Sequence, residues 1–366
     1  MKFSCAKQTI MEAINTVKNA VSTKSTLIIL EGILIKTTES MDGLILIGND
    51  QEIGIEYTCE ATIDEPGSIV LNARLFGDIV RSLPEAKIDF TMNQDNTITI
   101  ESDNSKFTLN TSNADAFPAI ESITPEKTLV VKQGILKNMI QRTAFAISID
   151  ETKKALTGSL LECKGNELFM VALDNKKMAL RKAEVEEEHD IKIIIPGKAV
   201  KEIAKILIEG DEEVTIYTAN HQIMFEMEHC KLFARLIQME YANYNNIISN
   251  NHVSMMKVDK KAFYDAVKRS SLLTIEDNKF PIIVNLKENQ VLVYSASDKG
   301  SSREIIEVEM DGQEVEMAFN PVYLLDTLNA IEDDFVDIFF VTEFGPCIIR
   351  PIEGEQYVYL IAAVRK

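Results

Sequence analysis

Lys198, Lys201 and Lys205 recur at steps of three and four, so a helix over Ile195–Ile208 gathers their ammonium groups on one face and puts Val200, Ile203, Ala204 and Leu207 on the other. Lys261 and Lys268 stand the same way opposite Phe263, Ala266 and Val267. Faces of this kind break no bonds. Their chemistry is attraction to phosphates, and on any single helix they read equally as an ordinary solvated surface. Side chains suited to covalent chemistry are not grouped for it: the chain has no GxSxG, no Gly-rich loop ending in Lys-Ser or Lys-Thr, and no HExxH. His189, His221, His229 and His252 lack ligand spacing and read as surface or loop residues. The acidic runs Glu186-Glu187-Glu188 and Glu332-Asp333-Asp334 have the right type for metal ligands, but they lie beside turns and read as solvated. Cys5, Cys59, Cys163, Cys230 and Cys347 are odd in number, far apart and free of any CxxC pair, which points to reduced structural thiols. The chain reads as a non-enzyme, with no catalytic residue, metal or cofactor expected.

The elements that carry these residues repeat. Helical segments with apolar residues three and four apart begin at Lys7, Lys132 and Lys260, each about 15 residues long. After each comes a strand-rich stretch and then a second helical segment: Leu71–Pro84, Ile195–Ile208 and Phe319–Glu332, spaced by 124 residues both times. Alternating strands follow, in the first copy Lys87–Phe90, Thr97–Glu101 and Lys106–Asn110, with a turn pair at Asp95-Asn96. So long a period exceeds the roughly 20 to 50 residues of a solenoid unit, so each copy is a domain with its own core. A chain of 366 residues is in any case too long for one comfortable core. Pro118–Lys127 and the polar run Asn243–Asn251 read as linkers.

A net charge of -19 argues against a nucleic-acid partner unless the charges are segregated. They are: the six helical segments together carry +8, although the last, with Asp326 and Glu332, is acidic. Helices facing a duplex and strands facing away would reconcile the two. The first twenty residues lack the apolar centre of a signal peptide, and no later stretch stays apolar for about 18 residues, so a cytoplasmic protein without membrane spans is expected.

From end to end the chain resembles the bacterial sliding clamps, the DNA polymerase III beta subunits. The resemblance is carried by Met1-Lys2-Phe3, the run from Ser25 to Leu34, Leu71-Asn72-Ala73-Arg74-Leu75-Phe76 with Arg81-Ser82-Leu83-Pro84, and Asn113-Ala114-Asp115-Ala116-Phe117-Pro118. Leu156-Thr157-Gly158, Ile195-Pro196-Gly197-Lys198 and the segment from Phe319 to Asp326 extend it. It implies an α+β fold of three tandem clamp domains (1–122, 123–248 and 249–366), each with two helices plus antiparallel sheets, helices lining a ring and sheets outside. It also implies a head-to-tail homodimer. Helices packed about 10 Å apart leave an opening of roughly 9 Å for six or 28 Å for twelve, and only the larger admits a double helix, whose major groove alone is about 12 Å wide.

By the same resemblance the function is that of a processivity factor. It would encircle double-stranded DNA without regard to sequence and tether the polymerase III alpha subunit, the clamp loader, repair polymerases and other partners. The expected DNA-facing cations are Lys24, Arg74, Lys137, Arg142, Lys153, Lys154, Lys198, Lys201, Lys205, Lys261 and Lys268. A partner-peptide pocket between the second and third domains would be walled by Leu156, Leu173, Asn175, Lys177, Met178, Ile247, Asn320, Tyr323, Phe344, Ile361, Val364 and Arg365. For Leu156, Met178 and Ile361 plain core packing is an equal reading. The ring seam would bring Phe107 and Leu109 against Leu272 and Leu273, with Lys106 near Glu304 and Glu307. The chain departs from its relatives at the pocket: Leu173-Asp174-Asn175-Lys176-Lys177 replaces Thr-Asp-Gly-His-Arg, Ala362-Ala363 replaces Met-Pro, and Ala242 and Asn246 stand where proline and arginine are common. The residues alone leave open a second class, a tandem-domain peptide-binding adaptor that does not encircle DNA.

Overall fold

The computed structural model describes residues 1–22, 26–274, 281–343 and 345–364. Each repeat lays two helices on antiparallel strands, as the periodicity predicts. Among the described residues the α-helices are α1 (Lys7–Val17), α2 (Ala73–Ser82), α3 (Gln133–Gln141), α4 (Gly197–Ile206), α5 (Lys260–Ser271) and α6 (Pro321–Asn329).

All are shorter than the expected segments, for local reasons. In four of the segments the opening residues finish a strand, while α1 and α5 begin where expected and stop early. Asn72 closes strand Ser68–Asn72 and accepts from the Leu75 amide at 3.0 Å, and Asp259 closes strand Ser254–Asp259 and accepts from Ala262 at 2.8 Å. Asn320, just after strand Val315–Phe319, caps α6 ahead of Pro321. At the far end of α2, Leu83 takes an extended conformation, as the residue before a proline prefers, and the helix stops at Ser82.

The chain divides into two compact units. Residues Met1–Gln133 and Lys205–Leu236 form one, and Gly134–Ala204 with Ile237–Lys366 form the other. The first unit holds two sheets. In one the strand order is Thr62–Glu65, Lys2–Ala6, Lys87–Met92, Thr97–Ser102, Ser105–Asn110. The other is eight-stranded and joins strands of the first two repeats where Cys230–Ala234 pairs antiparallel with Ile53–Tyr57. Ile10, Ala13, Ile14 and Val17 give α1 a buried face, and Phe90 stacks on Phe3 at 4.5 Å and meets Phe76 of α2 edge-on at 6.2 Å. Gly48 lets its strand reach the end of α1, since a Cβ there would fall 2.2 Å from the Val17 carbonyl oxygen.

The second unit repeats the plan. Its seven-stranded sheet joins strands of the second and third repeats where Lys177–Arg181 pairs with Tyr357–Ile361, and its four-stranded sheet runs Gly300–Glu307, Gln290–Ser297, Ile282–Lys287, Val315–Phe319. Phe263, Ala266 and Val267 bury one face of α5. The five cysteines are buried free thiols. Among the described residues no helix is long and apolar enough to cross a membrane.

Candidate DNA-facing surface and partner pocket

The lysine face of α4 forms as the spacing predicts. Ala199, Val200 and Ile203 are buried while Lys198, Lys201 and Lys205 are exposed; Ala204, expected on the apolar face, is only half-buried. On α5, Lys261 and Lys268 are exposed opposite the buried Phe263, Ala266 and Val267. Lys261 is partly neutralised by Asp265 one turn on, at 2.7 Å, and Lys268 lies 5.8 Å from the centre of the Tyr264 ring. Arg74 is exposed on α2, Lys137 is half-buried on α3, and Lys153 and Lys154 are exposed on the turn Glu151–Thr157. Lys24 lies outside the described residues, as do Phe344 and Arg365 of the pocket set.

Arg142, also among the expected DNA-facing cations, is paired within the chain. Its guanidinium donates to Glu332 at 2.6 Å and to the Asn329 carbonyl at 3.2 Å, binding it to the C-terminal end of α6. Arg181 approaches Glu332 at 3.7 Å, and Asn138 donates to it as well. The acidity of the last helical segment is therefore met from inside the fold, since Glu332 lies beyond the end of α6 and faces two arginines. Burial alone would push the Glu332 carboxyl up, but the hydrogen bonds from Arg142 and Asn138 hold it below its ordinary value of 4.5. A depressed folded-state value contributes stability that is present above the unfolded value and is lost as pH falls through the folded one. Urea midpoints measured from pH 6 down to pH 3 should therefore fall more steeply for the wild type than for Glu332→Gln; equal slopes would remove this pair from the acid response.

The described residues of the expected pocket set all fall in the second unit. Strand Gly158–Leu173 turns into strand Lys177–Pro196 through Asp174, whose carboxylate accepts from the Lys176 and Lys177 amides at 2.6 and 2.8 Å. The C-terminal strand pairs alongside, Lys177 opposite Ile361 and Met178 opposite Leu360, and the Val364 amide donates to the Ala318 carbonyl at 2.8 Å. Asn320 and Tyr323 stand on the first turn of α6. The Lys177 ammonium, buried, lies 4.9 Å from the Tyr323 ring centre, 5.5 Å from that of Phe145 and 3.7 Å from the Asp326 carboxylate. Burial, then the charges of Asp174 and Asp326, push the Tyr323 hydroxyl up.

Leu156, Leu173 and Met178 belong to a buried cluster with Tyr241, Tyr244 and Leu360, and Ile361 is fully buried, so core packing accounts for these four in the chain as it stands. Of the other expected wall residues, Ile247 is 38% exposed and Tyr323, Val364 and Asn320 are half-buried. Asn175 is exposed and accepts a hydrogen bond from Lys153. Phe145 and Asp326 were not in the expected set. Their signal was Lys177 itself, a charge opening the apolar strand run Met178-Ala179-Leu180 and so in need of buried partners.

The two strands expected at the ring seam are sheet edges. Ser105–Asn110 ends the five-stranded sheet with Phe107 36% exposed and Leu109 half-buried, and Gly300–Glu307 ends the four-stranded sheet near α5, whose C-cap Leu272 is 72% exposed beside half-buried Leu273. Within the single chain the charged residues of these edges have partners of their own. Glu304 is held by Arg269 through two hydrogen bonds of 3.0 and 2.8 Å, and Lys106 pairs across its own hairpin with Glu101 at 2.9 Å; Glu307 is exposed.

Tandem α+β domains whose strands pair across each junction, with lysine faces on the helices, define the architecture of a DNA clamp. Family models of the DNA polymerase III beta subunit match the chain in succession, the N-terminal domain over residues 1–121, the central domain over 130–243 and the C-terminal domain over 245–365, and the chain belongs to this family. It is 32% identical to the beta sliding clamp of Bacillus subtilis (strain 168), with all of both chains covered, and 31% identical to that of Staphylococcus aureus (strain Mu50), with all of this chain and 99% of the relative covered. Among solved structures it is similar to a putative DNA polymerase III beta subunit from Eubacterium rectale, at 33% identity and a TM-score of 0.95 with both chains fully covered. The sliding clamp of Bacillus subtilis is similar at 32% identity and a TM-score of 0.95, covering 100% of this chain and 99% of that one. The protein is a DNA sliding clamp, a non-catalytic processivity subunit of a polymerase holoenzyme.

Proposed function

We propose that two copies of the chain close head to tail into a ring around duplex DNA in the cytoplasm, and that a pocket between the second and third domains tethers the replicative polymerase, the clamp loader and repair polymerases. The observation that carries this is the exposed lysine face of α4, set opposite its buried face in a chain of net charge -19. Diffuse charge of this kind holds a phosphate backbone without reading bases, and base contacts of about 1 to 3 kcal/mol each would oppose sliding. Arg74, Lys137, Lys153, Lys154, Lys261 and Lys268 add to that inner surface. We divide the domains at 122/123 and 248/249.

The ring seam joins the edge with Phe107 and Leu109 to the edge beside Leu272 and Leu273. Each edge presents unpaired backbone groups and apolar side chains that a second copy would cover, and because the two patches differ, the contact closes only when it is made twice. The Arg269–Glu304 and Lys106–Glu101 pairs form within the chain, so the seam rests on its apolar side chains. In the pocket, Tyr323, Val364 and Ile247 would receive a short apolar peptide, with Asn320 and Asn175 at its rim. Sedimentation should give twice the 41.1 kDa of one chain; a monomer at micromolar concentration would contradict the ring.

A further inference from the structure

Glu162 lies in the apolar strand run Ser159-Leu160-Leu161-Glu162-Cys163, on the same face as Leu160, and is 1% exposed. A carboxylate removed from water persists only where its charge and lone pairs are met. The ammonium groups of Lys164 and Lys192 stand 3.1 and 3.5 Å from it, and the Tyr244 hydroxyl donates to it at 2.6 Å. Both lysines belong to the hairpin of Glu162 itself, with Lys192 directly across the strand pair. Tyr244 comes from the linker into the third domain. Its ring is buried with Leu156, Leu173 and Met178, and it opens a helical turn that the Ile247 amide closes by donating to the Tyr244 carbonyl at 3.0 Å.

A second charge ties the same linker further on. Arg350, over the ring of Phe339, donates to the Ser249 carbonyl and the Asn250 side chain, both at 3.3 Å. Residues 244–250 are thus held at one end by the central domain and at the other by the C-terminal domain. Ile247 and Ile248 stand between the two ties.

We propose that Glu162 and Arg350 are positioning residues that hold the linker as a fixed wall, so that Ile247 meets a partner peptide without first having to be ordered. This rests on the pocket reading above. It is tested with the full chain carrying Ile247→Cys and a nitroxide label, which goes to that site because the five native thiols are buried. Tyr244→Phe deletes one hydroxyl and keeps the ring, and Arg350→Met keeps the chain over Phe339, so both should fold and sediment as the parent does. Each should raise the label's mobility. With Ile247 restored, each should weaken binding of the fluorescein-labelled C-terminal peptide of the same cell's replicative polymerase by about tenfold, the cost of ordering a freed wall. Glu162→Gln, which keeps an oxygen for the Tyr244 hydroxyl, should weaken it less. Unchanged mobility, or unchanged affinity in both variants, overturns the positioning role. An unsubstituted protein that fails to bind the peptide overturns the pocket reading, and with it the purpose of the wall, even if the mobility changes appear.

Discussion

Leu272→Asp should leave the chain folded and abolish its dimer. Leu272 is 72% exposed at the end of α5, so the substitution removes little packing from the single chain, and its stability should stay within about 0.5 kcal/mol. In the assembly the same residue would be covered at both seams. Truncating a central apolar side chain commonly costs about 2 kcal/mol, and a closed pair of identical seams counts it twice, so the dissociation constant should rise about a thousandfold. Phe107→Asp should act alike from the other edge. Lys106→Glu should do far less, because this exposed lysine is paired within its own hairpin. Sedimentation velocity across a concentration series distinguishes these outcomes, and a dimer that survives Leu272→Asp would move the seam elsewhere.

Reversing charge at Lys198, Lys201 and Lys205 together should slow loading onto nicked circular DNA about tenfold and leave the dimer intact. The three side chains are exposed, and the buried face of α4 is untouched. With three fewer phosphates neutralised by each of the two copies, the dependence of log affinity on log salt should also flatten by about 5.4. Wild-type loading and an unchanged salt slope would take these residues off the inner surface.

Much of the fold was legible because helices and strands announce themselves by period. The helices with their strands could be placed from apolar spacing, and the strands of the first copy came within two residues of their observed ends. What the period overstated was helix length, in four segments because it does not distinguish a strand's last residues from the helix that follows, and in α1 and α5 at their far ends. Side-chain partners were harder to foresee. Arg142 and Glu332 are 190 residues apart, and Tyr244 and Glu162 are 82 apart, so nothing local marks either pair. Lone charges within apolar runs, Glu162 and Lys177 among them, were the available sign that a buried partner existed. The pocket walls came from resemblance rather than pattern, which is why Leu156 and Met178 could stand in that set while packed in the core. Asn243–Asn251 reads as a linker by composition, and nothing in its polar run foretells that Tyr244 is buried or that Arg350 donates to Ser249 and Asn250.

Loading the protein on a nicked circle with its loader, washing with salt and then cutting the circle tests the ring most directly. Retention should survive the salt while the circle is closed, because a topological link does not depend on counterions, and it should vanish when the cut creates an end. Release by salt alone, with or without an end, would contradict the ring and leave ordinary electrostatic binding in its place.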